Sequence, residues 1–329
     1  MSKESVLQLL TQTDGYISGE GMSESLGVSR AAVWKSIRAL REAGYEIEAK
    51  TNRGYRLRSA PDTPAKAAVL PLVTSDFCRE LIYLDEVDST NSYLKRMAAD
   101  GAPHGTVCIA DAQTGGRGRQ GRGFVSTSGK GLFFSVLLRP DAALTRSITA
   151  LTAFAAVAVC EAISATCSAE PRIKWVNDIL AGDRKLVGIL SEMSMEGETG
   201  QVDYVVIGAG VNVHYQAEDF PEEIQERATS LDMLTGTSVS RVRLAAAMID
   251  SFAHMYESCR TDAHTYTARY QELSATVGRE IRVIRSGDTR PATAIGMSSD
   301  CGLIVRYADG VEETLHYGEV SVRGKYGYV

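Results

Sequence analysis

Nine consecutive residues, Gly115-Gly116-Arg117-Gly118-Arg119-Gln120-Gly121-Arg122-Gly123, constrain this chain more than any other feature. Five glycines and three arginines in one short run do not suit a helix or a strand, because glycine loses the most backbone freedom on ordering. Glycine does let backbone N–H groups approach a ligand closely, and arginine adds a planar fork of donors for phosphate or carboxylate. The run lies between two apolar segments that read as strands, Thr106–Ala110 and Leu132–Leu138. A loop anchored at both ends is therefore expected, either mobile or held in unusual backbone angles. Context excludes two nucleotide motifs. Gly116-x-Gly118-x-x-Gly121 has the spacing of a dinucleotide fingerprint, but a strand follows it where that motif needs a helix. Gly129-Lys130 is not a P-loop, since Phe124 stands where the first glycine belongs and Gly131 replaces Ser/Thr.

Charge is unevenly spread. The 329 residues carry 35 Lys/Arg and 41 Asp/Glu, a net charge of −6, so the chain as a whole is not a basic nucleic-acid binder. Residues 28–58 nevertheless hold eight basic side chains against three acidic ones, net +5. A basic segment on an acidic body points to an anion-binding module joined to something else. The pattern of the first sixty residues agrees. Val6, Leu7, Leu9 and Leu10 start a helical stripe, Ser18 to Leu26 reads as a second helix stopped by Gly27, and Ser29 is placed to cap a third, Arg30 to Ala43. The third helix has its apolar stripe at Val33, Ile37 and Leu40, with Arg30, Lys35, Arg38 and Arg41 on or near the opposite face. A hairpin with Arg53 at its tip follows, which makes a winged helix-turn-helix pattern. Ser29, Arg30, Lys35 and Arg53 are its candidate DNA contacts, and Ser59–Pro64 is the expected linker.

Hydrophobic residues make up 44% of the chain, ample for two or three domains. Expected central strands are Leu81–Leu84, Thr106–Ala110, Leu132–Leu138, Arg172–Val176, Leu186–Met193 and Tyr204–Ile207, with helices at Asn91–Asp100, Ile148–Ala165 and Val242–Arg260. Because strands and helices do not alternate regularly, a mixed sheet with helices on one side is expected. Five short strands after Val277, ending with Val320–Arg323, suggest a small all-β barrel of SH3-like type. The fold class is thus α+β, with a winged helix-turn-helix over 1–62, a central domain over 63–274 and a β domain over 275–329. Ile148–Ala165 is interrupted by Thr149, Thr152 and Glu161, so it is expected as a core helix, with no membrane partner. Six cysteines without a CxxC spacing, behind a start that is no signal peptide, imply a reduced cytoplasmic protein with buried thiols.

Three further segments carry chemistry. Lys174 and Lys185 flank the Ala181–Arg184 turn, so two cations could converge there. Gly208-Ala209-Gly210-Val211-Asn212 ends a strand with small residues and an amide. Asp88-Ser89-Thr90-Asn91 begins a helix, where Ser89 or Thr90 could serve equally as a cap or as a ligand group. Together with Gln113, Lys174-Trp175-Val176-Asn177-Asp178 and Gly188-Ile189-Leu190, these segments resemble the biotin–protein ligase family in order and spacing over residues 85–215. With the flanking modules, the chain resembles the bifunctional form, ligase and biotin operon repressor in one polypeptide.

The resemblance implies two steps: biotin and ATP give biotinyl-5′-AMP, then the biotinyl group passes to a lysine of a biotin carboxyl carrier domain. By the same resemblance, Ser89, Thr90, Asn91, Gln113, Arg117, Gly118, Arg119 and Lys185 line biotin and its carboxylate. Arg119, Arg122, Asn177 and Asn212 meet the adenylate, and Lys185, Arg117 and Arg119 are catalytic. Mg²⁺ arrives with ATP rather than in a protein metal site, and the adenylate promotes a homodimer on operator DNA. Val176 stands where many relatives have proline, and Phe124 where many have tryptophan. A metabolite sensor without catalysis and a lipoate ligase are the competing readings. The clustered cations argue against the first, the N-terminal module against the second.

Overall fold

The computed structural model describes residues 3–42, 44–59, 61–285, 288–316 and 321–324. Met1, Ser2, Ala43, Ala60 and Val320, which figured in expected segments, lie outside them. The chain divides into two compact units, residues 1–72 and 73–329.

The first unit is built from α1 (Lys3–Gln12), α2 (Gly19–Leu26), α3 (Arg30–Glu42) and the antiparallel hairpin of β1 (Glu46–Lys50) and β2 (Gly54–Ser59). Ser18 caps α2 by accepting the Gly21 N–H at 2.9 Å, and Gly27 ends it at φ 64°. The Val33, Ile37, Leu40 stripe is buried with Val6, Leu7, Leu10, Met22 and Ile47, and Ala67 of α4 (Lys66–Val69) packs on this cluster. At Gly54, φ is +98° and a Cβ would fall 2.1 Å from the Ile17 carbonyl oxygen. Only glycine lets the hairpin come so close, and Ile17 and Tyr55 exchange backbone hydrogen bonds of 2.9 and 2.8 Å there.

The second unit runs β3 (Glu80–Val87), α5 (Thr90–Ala99), β4 (Thr106–Gln113), β5 (Gly131–Leu138), α6 (Ala142–Arg146), α7 (Leu151–Thr166), β6 (Arg172–Lys174), β7 (Asp178–Ala181), β8 (Arg184–Met195), β9 (Val202–Asn212), α8 (Leu231–Thr235), α9 (Arg241–Thr261) and α10 (Ala263–Glu272). The seven strands are ordered β3-β4-β5-β9-β8-β7-β6. β3 and β4 are parallel and every other neighbouring pair is antiparallel.

The expectation of helices on one side is corrected: they cover both faces. On one face Phe134 of β5 stacks on Phe252 of α9 at 5.5 Å, and Ser191 of β8 accepts a hydrogen bond from Thr152 of α7 at 2.9 Å. The alternate residues, Leu137 of β5 with Tyr204 and Val206 of β9, pack against Leu94 and Ala98 of α5. All eight residues of β5 are buried, which explains why it is apolar at every position but Ser135 and Gly131. The expected strand Arg172–Val176 stops at Lys174, and Trp175 and Val176 form a turn with a cis peptide between them. β7 and α10 were not expected. Among the described residues no helix is long and apolar enough to cross a membrane, and all six cysteines are free thiols.

At the end of the chain, β10 (Glu280–Arg285), β11 (Asp288–Met297), β12 (Leu303–Tyr307), β13 (Glu312–Leu315) and β14 (Ser321–Gly324) form an antiparallel sheet ordered β13-β12-β11-β10-β14. This is the small all-β module expected at the end of the chain. The module grips the turn after β6. The Trp175 backbone N–H donates to Thr276 Oγ1 and its indole Nε1 to the Cys301 carbonyl, both at 3.0 Å, while Tyr270 Oη donates to the Val176 carbonyl at 3.3 Å.

Candidate active site

A cavity of about 320 Å³ opens on the α5 face of the seven-stranded sheet. Its floor is made by residues without side-chain bulk, because larger ones would not fit. A Cβ on Gly208 would lie 2.2 Å from Asn91 Oδ1, and one on Gly210 would lie 2.6 Å from the Phe124 ring. All eleven residues assigned to ligands from the sequence line this cavity: Ser89, Thr90, Asn91, Gln113, Arg117, Gly118, Arg119, Arg122, Asn177, Lys185 and Asn212.

The glycine–arginine run is held, not free. Gly118 N donates to the Arg122 carbonyl at 2.7 Å and Phe124 N to the Gly116 carbonyl at 2.9 Å, closing a tight loop with Gly121 at φ 72°. Arg119 Nη1 donates to Asn177 Oδ1 at 3.2 Å, and Asn177 Nδ2 in turn donates to the Ile189 carbonyl at 2.8 Å. Arg117 reaches across to the Ser92 hydroxyl. Phe124 stands on the glycine floor between Gly188 and Gly210, edge-on to Phe133 at 6.5 Å.

Ser89 precedes α5 but makes no side-chain cap; it is 5% exposed and lines the cavity. Thr90 and Gln113 are locked together, the Thr90 N–H donating to Gln113 Oε1 at 2.9 Å while Gln113 Nε2 donates to Ser126 Oγ at 3.0 Å. Asn91 is saturated: its amide donates to the Leu190 carbonyl and Glu192, at 3.1 and 3.0 Å, and Ser135 donates to its Oδ1 at 2.7 Å. Burial pushes the Glu192 carboxyl up, but hydrogen bonds from Lys95 and Asn91 outweigh it and hold the group below its ordinary value. Just outside, the Arg96 fork holds the Asp88 carboxyl down at about 2.

Lys174 and Lys185 do converge, since both line the cavity. Lys185 Nζ lies 2.6 Å from Asp178 Oδ1, with side-chain exposures of 29% and 16%. It is therefore not the solvated lysine that a place beside a turn would suggest. Asn212 donates through Nδ2 to the Thr229 carbonyl at 3.0 Å. The arrangement puts three arginines and two lysines around one small, glycine-floored space, with Asp178 the single carboxylate among the described residues that line it. Such a set can hold two anions together and stabilise charge that builds between them.

Sequence reasoning missed one wall. Phe220, Ile224 and Ala228 line the cavity from a loop that carries no motif; its only signal is apolar residues amid Glu218, Asp219, Glu222 and Glu223. That loop is tied to the end of the glycine–arginine segment. Thr127 N donates to Tyr215 Oη at 2.9 Å, Tyr215 stacks on Phe220 at 4.9 Å, and Lys130 Nζ pairs with Asp219 at 2.9 Å.

In the first unit Ser29, Arg30, Lys35 and Arg53 are all exposed. Ser29 Oγ accepts the Ala32 N–H at 3.2 Å, so it caps α3. Arg41, also exposed, donates to the Ile47 carbonyl at 3.0 and 2.5 Å, which ties α3 to β1.

Comparison with known proteins agrees with this geometry. Residues 83–212 match the biotin/lipoate A/B protein ligase family, residues 3–56 an HTH domain, and residues 276–323 the biotin protein ligase C terminal domain. The chain is 35% identical to the bifunctional ligase/repressor BirA of Bacillus subtilis, covering 94% of this chain and 96% of that protein. Identity to the Escherichia coli protein of the same name is 29%, covering 94% of this chain and 93% of that one. A biotin protein ligase from Aquifex aeolicus, solved with biotin and ATP, superposes with a TM-score of 0.65 at 28% identity, covering 75% of this chain and all of that one. With its three modules in the same order and a relative matched over nearly the whole length of both chains, this chain belongs to the BirA family of bifunctional biotin–protein ligases and repressors.

Proposed function

We propose that this chain activates biotin with ATP, transfers it to a lysine of a biotin carboxyl carrier domain, and represses transcription through its N-terminal unit. The observation that carries the reading is the gathering of Arg117, Arg119, Arg122, Lys174 and Lys185 about a glycine floor. In the first step a biotin carboxylate oxygen bonds to the α-phosphorus of ATP and the bond to the bridging oxygen breaks, releasing pyrophosphate. Two anions must meet, and the cations offset their repulsion and the charge of the displacement. In the second step the carrier amine attacks the acyl carbon, loses a proton, and AMP leaves.

Lys185, Arg117 and Arg119 are the catalytic cations of this reading. Ser89, Thr90, Gln113 and Gly118 take the biotin side, where hydroxyls and an amide suit a ureido ring that both donates and accepts. Asn91 acts by holding Ser135 beside them through its hydrogen bonds, and it packs so close to residue 208 that only glycine fits there. Arg119, Arg122, Asn177 and Asn212 take the adenylate. Mg²⁺ enters as the ATP chelate: one carboxylate, Asp178, suits a metal that arrives carrying phosphate and water ligands. A closed glycine–arginine loop would shield the mixed anhydride from water.

The modules divide the work as 1–62 for DNA, 63–274 for catalysis and 275–329 for support. The adenylate favours a homodimer that binds two half-sites of an operator. The setting is the cytoplasm, where free thiols are the norm. Incubation with ATP and either biotin or lipoate, followed by mass spectrometry, tests the chemistry. Biotinyl-AMP is expected; lipoyl-AMP alone would make this a lipoate ligase, and neither product would make it a sensor.

A further inference from the structure

We infer that Trp34 is a base-reading side chain of the N-terminal unit, its indole set against the 5-methyl group of thymine in the major groove. The inference rests on the DNA-binding reading above and adds a residue and a chemical preference to it. Trp34 is 56% exposed, whereas Trp175, the other tryptophan of the chain, is 6% exposed. A lone exposed apolar side chain by itself means little. The position of Trp34 is what distinguishes it.

The buried stripe of α3 is Val33, Ile37 and Leu40. Arg30, Trp34 and Arg38 follow one another at intervals of four along an exposed row beside that stripe, with exposed Ala31 and Lys35 next to it. Arg38 is fixed from below by a 2.8 Å hydrogen bond to Glu42, and its guanidinium carbon lies 6.0 Å from the indole centroid. A cation thus lies beside the ring on the same exposed row.

A face meant only for phosphate would need only cations. An indole at its centre supplies apolar area and a single N–H donor, with no acceptor. The major groove admits a helix and presents an apolar group on one base, the methyl of thymine, beside acceptors such as thymine O4 and purine N7. The amino groups of cytosine and adenine would gain no partner from this side chain. The charge of residues 28–58, net +5, complements the phosphates on either side.

The test uses full-length protein with biotin and ATP, and duplexes enriched from a randomised library on the wild type. In the best duplex, deoxyuridine then replaces thymine, which removes only the methyl groups. We expect this to weaken the wild type about tenfold, and Trp34→Ala to weaken binding to the thymine duplex by about as much. Trp34→Ala should lose nothing further with deoxyuridine, while Trp34→Phe keeps part of the discrimination. Arg30→Ala should weaken both duplexes equally and lower the salt slope. Iodide quenching of Trp34 emission should fall when the duplex binds. Equal deoxyuridine losses in wild type and Trp34→Ala would overturn the inference while leaving DNA binding intact. So would protection of the indole by raised protein concentration without DNA, which would mean that a second copy covers it. Failure of the wild type to enrich or bind any duplex would overturn the DNA reading itself, and this inference with it.

Discussion

The α3 surface and the sheet cavity use the same chemical groups, cations among small residues, and hold them in opposite ways. On α3 the candidate contacts lie within one exposed helical stretch, and a periodic helix sets their order. In the cavity they come from segments as far apart as Ser89 and Asn212, and nearly every one is fixed by a neighbour. A surface that meets a long, regular polyanion can rely on helical spacing. A site that must bring two small reactants into line needs groups converging from several directions, and a sheet with loops at one end supplies them. Changes on α3 should therefore subtract single contacts, whereas changes in the cavity should propagate.

The largest expected effect separates the two regions outright. Deleting residues 1–72, one compact unit, should abolish duplex binding and leave biotinyl-AMP formation measurable. A folded truncation without adenylate synthesis would show that the regions are not separable. Next comes Lys185→Ala. Removing a preorganised donor from a site of developing charge lowers a rate by ~10²–10³, and pyrophosphate release under saturating biotin and ATP measures it. Because Asp178 sits 2.6 Å away at 16% exposure, the same change leaves a carboxylate without its cation and should lower the melting temperature as well. Lys185→Ala with Asp178→Asn should recover the melting temperature but not the rate. Recovery of both would make the lysine structural.

Gly208→Ala is expected to act through packing. The new methyl meets Asn91, which three hydrogen bonds hold in place, so stability should fall by about 1–3 kcal/mol and biotin binding with it. Combined with Asn91→Ala the losses should be less than additive, as for residues in contact. Arg53→Ala, on the exposed turn of the hairpin, is the smallest. Melting should not change, and the salt slope of duplex binding should drop by about one if the side chain meets one phosphate. An unchanged slope would remove the hairpin from the DNA surface.

Much of this was legible in the sequence, for reasons that differ by region. The glycine–arginine run, Lys185 and the Gly208–Asn212 segment were readable because ligand chemistry dictates residue types that no regular element would choose. The helices of the first unit were readable from a single stripe and two caps. Trp34 carries no such mark: it falls off that stripe, and an apolar period singles out only what is buried. Phe220, Ile224 and Ala228 were hidden because they reach the cavity through loop folding and carry no pattern of their own. Helices on both faces of the sheet went unrecognised although β5 is apolar at nearly every position. The short β7 merged with its flanking turns, and α10 was overlooked although Tyr266 and Tyr270 mark its buried side.

The grip of the last module on the Trp175–Val176 turn has a consequence for how the molecule is born. The turn carries Lys174, Asn177 and Asp178 into the cavity, yet its partners Thr276 and Cys301 lie a hundred or more positions downstream. A growing chain can complete its first unit once residue 72 has left the ribosome. The partners of that turn are complete only once residue 301 has emerged. At 5–20 residues per second that interval is roughly 10–45 s, during which a nascent polypeptide would carry a finished DNA-facing head and an unfinished ligase.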